Sequence, residues 1–260
     1  ARLISNLCFP RPGEHEPEFE VVSPILPLLG ELVNESDKDV LDHALLALQS
    51  LSANCRTRVN ALVRCTDIMK RGVVVQRTNR MCESLVGLLK HHVIYVRARV
   101  LGVIANICAA NSYVPTGDDS EVQSMLDAGL LPNLLLLLHS DMLEEHCVLR
   151  RAIRVTANIC AGNRLQVQQV LALDATSRVT PAGRIFPLLV ALHARAPSTH
   201  LDIVEEVVWA INNASHGARA SDGDFQVMMD DGCFAALEYS ISPSFATQDT
   251  DGVILRPALE

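Results

Sequence analysis

Residues 154–163 read Arg154-Val155-Thr156-Ala157-Asn158-Ile159-Cys160-Ala161-Gly162-Asn163: an apolar helical stretch ending in Asn, an apolar residue and a small residue, then a glycine break. The phrase recurs. GVIANICAAN puts Asn106 at the same point, WAINNASHG puts Asn213 there, and LISNLC puts Asn6 there. A weaker copy, LALQSLSAN, carries Ser50 in place of Asn. The anchors Asn6, Ser50, Asn106, Asn158 and Asn213 stand 44, 56, 52 and 55 residues apart, so one structural unit repeats along the chain. Helical repeats of about 40–47 residues account for the first interval directly, and for the others with insertions of roughly ten residues.

Three segments have the character of insertions. Residues 66–80 are basic and lack helical periodicity, 113–120 contain Pro115 and a Gly-Asp-Asp-Ser run, and 175–183 carry Pro181. Between them a three-helix grammar appears. Glu121 to Ala128 is a short first helix that stops at Gly129, where a left-handed cap suits glycine. Leu130 to His139 is a buried second helix, and Met142 to Ala161 is a long third one. Val148, Ala152, Val155 and Ile159 fall on one stripe of it, at spacings of four, three and four. The order returns with Gln166–Asp174, Ile185–Ala194 and His200–His216, then with Asp224–Asp231, a stop at Gly232, and Cys233–Ile241. Third helices are thus expected near 1–8, 37–54, 93–110, 142–161 and 200–216. Strand signals are scarce. The expectation is an all-α solenoid over residues 1–260, with partial repeats at both ends, since the chain opens inside a third helix and closes inside a helical stretch at Val253-Ile254-Leu255.

Composition narrows the function. A chain of 260 residues with 49% hydrophobic and 20% charged residues buries a large core and is far from disordered composition. Thirty acidic against 22 basic residues, net charge -8, repel phosphate and favour a cationic partner; with aromatics at 4%, nucleic acid is excluded. Eight cysteines without a CxxC pair read as reduced, buried residues of an intracellular protein. The apolar run Leu134 to Leu138 is far short of the roughly 20 residues a bilayer requires, so no membrane segment is expected. No phosphate loop, nucleophile elbow or acid–base pair appears, and neither His15-Glu16-Pro17-Glu18 nor His91-His92 has metal-ligand spacing. The expectation is no enzyme, no cofactor and no metal.

The segment EEVVWAINNASHG, Glu205 to Gly217, resembles the third-helix signature of the importin-α family, in which a Trp is followed four residues later by an Asn. Trp209 and Asn213 take the paired positions, and Glu206 the acidic place before them. RRAIRVTANICAGNRLQVQQVL, residues 150–171, matches in length and character, and ARLISNLC resembles the same segment of a middle repeat. The resemblance covers nearly the whole chain apart from the insertions and runs from about the family's fourth repeat to its eighth. It implies a right-handed superhelix of armadillo repeats, three helices each. Its inner groove would hold the Lys/Arg-rich nuclear-localisation peptide of a cargo protein, mainly at the C-terminal-side secondary site. The implied peptide-binding residues are Asn6, Asn106, Asn158, Glu206, Trp209 and Asn213. Residues i and i+4 share a helix face, a carboxamide can both donate to and accept from an extended backbone, and an indole attracts a cationic side chain by about 0.5–2 kcal/mol. The family further implies action in cytoplasm and nucleus and importin-β as a partner, through an N-terminal arm with no counterpart in this chain.

The pattern is incomplete. The position four before each anchor is Arg2, Leu46, Gly102 and Arg154, and Trp only at 209; Arg151 stands where the family has an acidic residue. Arginines on the groove face repel a basic peptide, so binding is expected to concentrate at Glu206, Trp209 and Asn213. Three plainer readings stand beside this one: the Asn anchors close their own helices, Trp209 is a core residue, and Glu205-Glu206 is a solvated face. The corresponding functional alternative is an armadillo interaction scaffold with a degenerate groove and no import role.

Overall fold

The computed structural model describes residues 2–8, 18–53, 55–64, 67–70, 73–76, 80–110, 120–139, 145–171, 184–196, 200–218 and 223–242; of 5–7, 67–70, 73–76 and 80 only the backbone is described. The expected insertion 175–183, the stretch 113–119 and the closing residues Val253–Leu255 lie outside these residues. The chain divides into two compact units, Ala1–Asn133 and Leu134–Glu260.

In the first unit, α1 (Arg2–Cys8) precedes α2 (Phe19–Val22), α3 (Leu26–Leu32) and the long α4 (Lys38–Ser52). Next come α5 (Arg56–Val63), α6 (Arg80–Leu88) and α7 (Ile94–Ala109), then α8 (Ser120–Asp127). Helix α9 (Leu130–His139) runs across the division. The second unit holds α10 (His146–Cys160), α11 (Arg164–Leu171), α12 (Ile185–Arg195), α13 (Leu201–Gly217), α14 (Asp224–Asp230) and α15 (Cys233–Ser240). Long helices pack on long helices: α1 on α4 and α4 on α7 in the first unit, α10 on α13 in the second. Residues 66–80, read from sequence as a basic loop insertion without helical periodicity, contain two short strands that the sequence reading did not expect. Strands β1 (Asp67–Lys70) and β2 (Val73–Gln76) pair there antiparallel, with Asp67 opposite Gln76 and Lys70 opposite Val73.

Local chemistry accounts for the boundaries. Asp37 opens α4 by accepting the backbone N–H of Asp39 at 2.8 Å and of Val40 at 3.1 Å, which holds its carboxyl below the usual pKa. Asn163 and Gln166 form a reciprocal capping box at α11, each side-chain oxygen accepting the other's backbone N–H at 3.1 Å. A Cβ on Gly162 would stand 1.9 Å from Gln166 Oε1, so this cap needs glycine before it. The left-handed stops expected at Gly129 and Gly232 are present, with φ of 85° and 83°.

The stripe Val148, Ala152, Val155 and Ile159 of α10 is fully buried. Helix α7 buries Val96, Val100, Leu101, Val103, Ile104 and Ile107 around most of its circumference, which makes it the spine of its unit. Each such aliphatic side chain contributes about 1.5–3 kcal/mol, and the elements therefore stand or fall with this face. Cys8, Cys82, Cys108, Cys160 and Cys233 are buried, and burial pushes the thiols of Cys82, Cys160 and Cys233 up to about 12. Cys147 is exposed and Cys55 half-buried, which departs from the expectation that the cysteines are core residues. No single described helix is long and apolar enough to cross a bilayer.

His193 of α12 is a buried titratable group, 3% exposed. The Ser240 hydroxyl donates to the Ala236 carbonyl at 3.0 Å, so His193 Nε2, 2.7 Å from Ser240 Oγ, is the donor of that bond. Burial lowers its pKa below the ordinary 6.5. As pH falls, the unfolded chain therefore takes up the proton first. The stability His193 contributes is present above about pH 6.5 and is lost as pH drops through the folded pKa. Urea midpoints at pH 7.5 and 5.0 should fall further for the parent protein than for His193→Gln; equal losses would show that the buried imidazole carries no such linkage.

Candidate functional site

The exposed edge of the long helices is built from a few positions on each. On α13 the part-exposed stripe is Asp202, Glu205, Trp209 and Asn213; on α10 it is Arg150, Arg154 and Asn158, with Arg151 half-buried beside them. His146 pairs with Asp202, Arg150 with Glu206, and Ala157 with Asn213, each 56 residues apart. A constant difference between partners means that the two helices run parallel without slip, because antiparallel helices would hold the sum constant instead.

The Asn anchors take a role that sequence reading did not separate out. Asn213 Nδ2 donates to the carbonyl of Ala157 at 2.9 Å, one residue before the preceding anchor Asn158. Asn106 Nδ2 donates to the Gln49 carbonyl at 3.0 Å, one residue before Ser50, and to Ser52 Oγ at 3.1 Å. Ser50 Oγ in turn donates to the Cys8 carbonyl. Ser50, Asn106 and Asn213 thus each donate to a carbonyl in the last turn of the previous long helix; that of Ala157 also accepts the Ala161 N–H at 3.0 Å. Among the described residues nothing donates to Asn213 Oδ1 or to Asn106 Oδ1, so the acceptor end of each carboxamide remains available. Asn158 is half-buried on α10, and Asn6 lies on α1 with only its backbone described.

The positions four before the anchors explain the missing indoles in physical terms. A Cβ on Gly102 would approach Gln49 Nε2 to 2.9 Å: the Gln49 amide lies across the place an indole would fill. Arg154 is exposed, and its Nη2 reaches across to Glu206 Oε1 on α13. Arg150 Nε lies 3.3 Å from the same oxygen and 3.5 Å from Asp202 Oδ2. The Glu206 side chain, 5% exposed, therefore faces two internal arginines, where the sequence reading expected it to face a cationic peptide. Trp209 is half-buried on α13, four residues before Asn213, and no described residue accepts from its indole N–H.

Glu205, beside it, is part-exposed and makes no hydrogen bond or ion pair among the described residues. Burial and the neighbouring Glu206 carboxylate raise its pKa above the usual 4.5, while Arg150 and Arg154 pull it back. Sequence reasoning missed Arg150, Asp202 and the role of Glu205. The signal was present: Arg150/Arg154 and Asp202/Glu206 are both i, i+4 pairs, of opposite sign, on successive long helices.

The first unit carries the same contact with its charges exchanged. Arg99 Nε of α7 meets Asp42 Oδ1 of α4 at 3.0 Å. Asp42 stands eight before Ser50 and Arg99 seven before Asn106; Arg150 stands eight before Asn158 and Glu206 seven before Asn213. One repeat position thus holds an acid–base pair in both units, with opposite polarity.

Against solved structures, the chain matches a designed armadillo repeat protein in complex with the peptide (KR)4, with a TM-score of 0.72 at 22% identity over 99% of this chain and 88% of that one. It matches computationally designed armadillo repeat proteins for modular peptide recognition with a TM-score of 0.69 at 21% identity, over 98% and 90%. The fold is that of armadillo repeats. In sequence the chain is similar to importin subunit alpha-1a of Oryza sativa subsp. japonica, 32% identical over 168 residues, 65% of this chain and 27% of that protein. Importin subunit alpha-3 of Arabidopsis thaliana is 35% identical over 138 residues, 53% and 22%. The aligned stretches thus span about a quarter of these relatives' length. No family model matches the chain.

The two polarity-exchanged pairs differ in burial, and their variants should differ accordingly. Glu206→Gln takes the carboxylate from Arg154 and leaves Arg150 with Asp202 alone, beside a buried amide, and is expected to destabilise the armadillo stack by about 1–2 kcal/mol, discounted for the exposure of both arginines. Asp42→Asn removes one partner of a pair exposed by about a third on each side and should cost less than about 1 kcal/mol. Chemical denaturation of both variants measures the difference; equal effects would mean that the Glu206 carboxylate is not held as described.

Proposed function

We propose that this armadillo chain is an adaptor segment that holds an extended, Lys/Arg-rich nuclear-localisation peptide of a cargo protein along the exposed edge of its long helices. Its relatives are named importin-α subunits, and a structural neighbour was solved with a (KR)4 peptide. The observation that carries the reading is the pairing of Trp209 with Asn213, four residues apart on the part-exposed stripe of α13, the carboxamide oxygen of Asn213 without a donor. An extended peptide needs a backbone acceptor and a flat surface for its aliphatic stems, and this pair offers both.

Glu205 replaces Glu206 as the receptor for the cationic head, because Glu206 is occupied by Arg150 and Arg154. Burial, and then the Glu206 carboxylate, hold the pKa of Glu205 up against the pull of Arg150 and Arg154, and an arriving Lys or Arg would lower it. In the second unit binding centres on Trp209 and Asn213, with weaker support from Asn158; in the first unit Asn106, and Asn6 by sequence, hold the corresponding anchor positions on their own helices. The wider reading, with importin-β as carrier partner and traffic between cytoplasm and nucleus, follows from likeness to importin-α subunits.

A second reading, an armadillo interaction scaffold without an import role, is favoured by one specific feature: Arg154 stands in the indole position and spends its charge on Glu206. Both readings describe a binding protein rather than an enzyme. Fluorescence anisotropy with a labelled Lys/Arg-rich peptide and a neutral peptide of equal length separates them. On the import reading, Trp209→Ala with Asn213→Ala weakens the basic peptide about 3- to 30-fold, Glu205→Gln weakens it by a smaller factor, and Arg154→Trp strengthens it. Affinity indifferent to all of these changes, or equal for the two peptides, would favour the scaffold.

A further inference from the structure

The start of the α10–α13 stack brings together three groups that the peptide reading does not use. His146 lies in the first turn of α10, His200 is the residue before α13, and Asp202 lies in its first turn. The ligand atoms of the three all lie within 4.8 Å of one another, and each residue is part-exposed. His146 Nε2 is 3.1 Å from Asp202 Oδ1. The imidazole rings of His146 and His200 stand side by side, with centroids 4.6 Å apart and planes at 38°.

We propose that His146, His200 and Asp202 form a binding site for one divalent transition-metal ion, with zinc as the expected occupant. Two imidazoles and one carboxylate are the donor set of three-ligand zinc sites, and their partial exposure leaves room for water as the fourth ligand. Zinc bonds of about 2.0–2.1 Å in a tetrahedron set neighbouring ligand atoms about 3.3 Å apart. The His146–Asp202 edge, at 3.1 Å, is close to that length, and His200 closes the triangle by a side-chain shift of about 1.5 Å or less.

The outer partners also orient the carboxylate. Arg150 Nε lies 3.5 Å from Asp202 Oδ2, and Oδ1, which faces His146, also accepts the Ile203 backbone N–H at 3.1 Å. Two features oppose a cation: the Arg150 charge and the positive N-terminal ends of α10 and α13. Affinity is therefore below that of a closed four-ligand structural zinc site, and the ion is exchangeable. Once bound, it joins α10 to α13 at the end opposite the Asn213–Ala157 hydrogen bond and fastens the stack at both ends.

The competing description is a His146–Asp202 ion pair and nothing more, and the experiment must separate the two. Cys147, exposed and next to His146, can capture metal on its own, so the full chain is prepared as Cys147→Ser and compared with the same protein carrying His146→Ala, His200→Ala or Asp202→Asn. His200→Ala is the least disturbing of these, since the His200 side chain makes no capping bond to α13. Isothermal titration with zinc chloride should give one site that weakens at least about tenfold in each variant. Cobalt(II) chloride should give visible absorption of a low-coordinate nitrogen–oxygen site, without thiolate charge-transfer bands, and only in the parent. Zinc should raise the melting temperature of the parent and leave that of His200→Ala unmoved. Circular dichroism of metal-free samples establishes that the variants are folded. Absence of zinc binding, equal affinity in parent and variants, or cobalt bands that persist without His200 would overturn the site and leave the ion pair as its whole content.

Discussion

Everything in each compact unit depends on one long helix lying parallel on the previous one in a register that does not slip. In the second unit, three cross-helix contacts at successive levels share an offset of 56 residues. In the first, Asp42–Arg99 and Gln49–Asn106 share an offset of 57. The apolar stripe enforces this. A slip of one residue would turn α10 by about 100° against its neighbour and carry Val148, Val155 and Ile159 toward solvent, at about 1.5–3 kcal/mol for each. Polar contacts along the same seam are individually much weaker, but they discriminate between registers of similar apolar burial. The carboxamides of Asn106 and Asn213 belong to this seam, since each is carried by one long helix and donates to a carbonyl in the last turn of the helix before it.

That arrangement divides the functional residues into two kinds. Arg150, Arg154 and Glu206 sit where a groove-facing charge would be read as a peptide contact, yet their charges are spent across the helix–helix seam. Glu205 and Trp209 are one residue before and three after Glu206, on the part-exposed side, and make no bond across that seam. On a helix a single position is a rotation of about 100°, enough to separate a residue that fixes the stack from one that meets a ligand.

The parts legible in the sequence were those set by local period and local backbone chemistry. The α10 stripe followed from spacings of three and four, and the stops at Gly129 and Gly232 from the need for positive φ. The β1–β2 pair was not legible, because the short, basic, turn-rich stretch 66–80 has no alternating pattern long enough to separate strand from loop. The partners of Asn106, Asn213 and Glu206 were not legible either, since they lie 52 to 57 residues away and depend on a register that anchor spacings of 55 and 56 approach but do not specify. His146 and His200 escaped for the same reason. A metal motif is recognised by short ligand spacing, and these two histidines are 54 residues apart on different repeats.

The exchange of polarity between Asp42–Arg99 and Arg150–Glu206 bears on how the charge of such a surface should be interpreted. If those positions existed to recognise a basic peptide, an arginine there would oppose the function and a carboxylate would serve it. If they existed to fix the register, either sign would do, provided that the neighbouring repeat carried the other. Only the second requirement is met in both units. On the faces of α10 and α13 that meet here, Arg150, Arg151 and Arg154 balance Asp202, Glu205 and Glu206 in formal charge, so these residues together supply no net attraction for a cation. Specificity for a cationic ligand must then come from contact with the few groups outside the seam pairs, Glu205, Trp209 and the Asn213 oxygen, and a partner that touches only the arginine-bearing helix would meet no preference for positive charge.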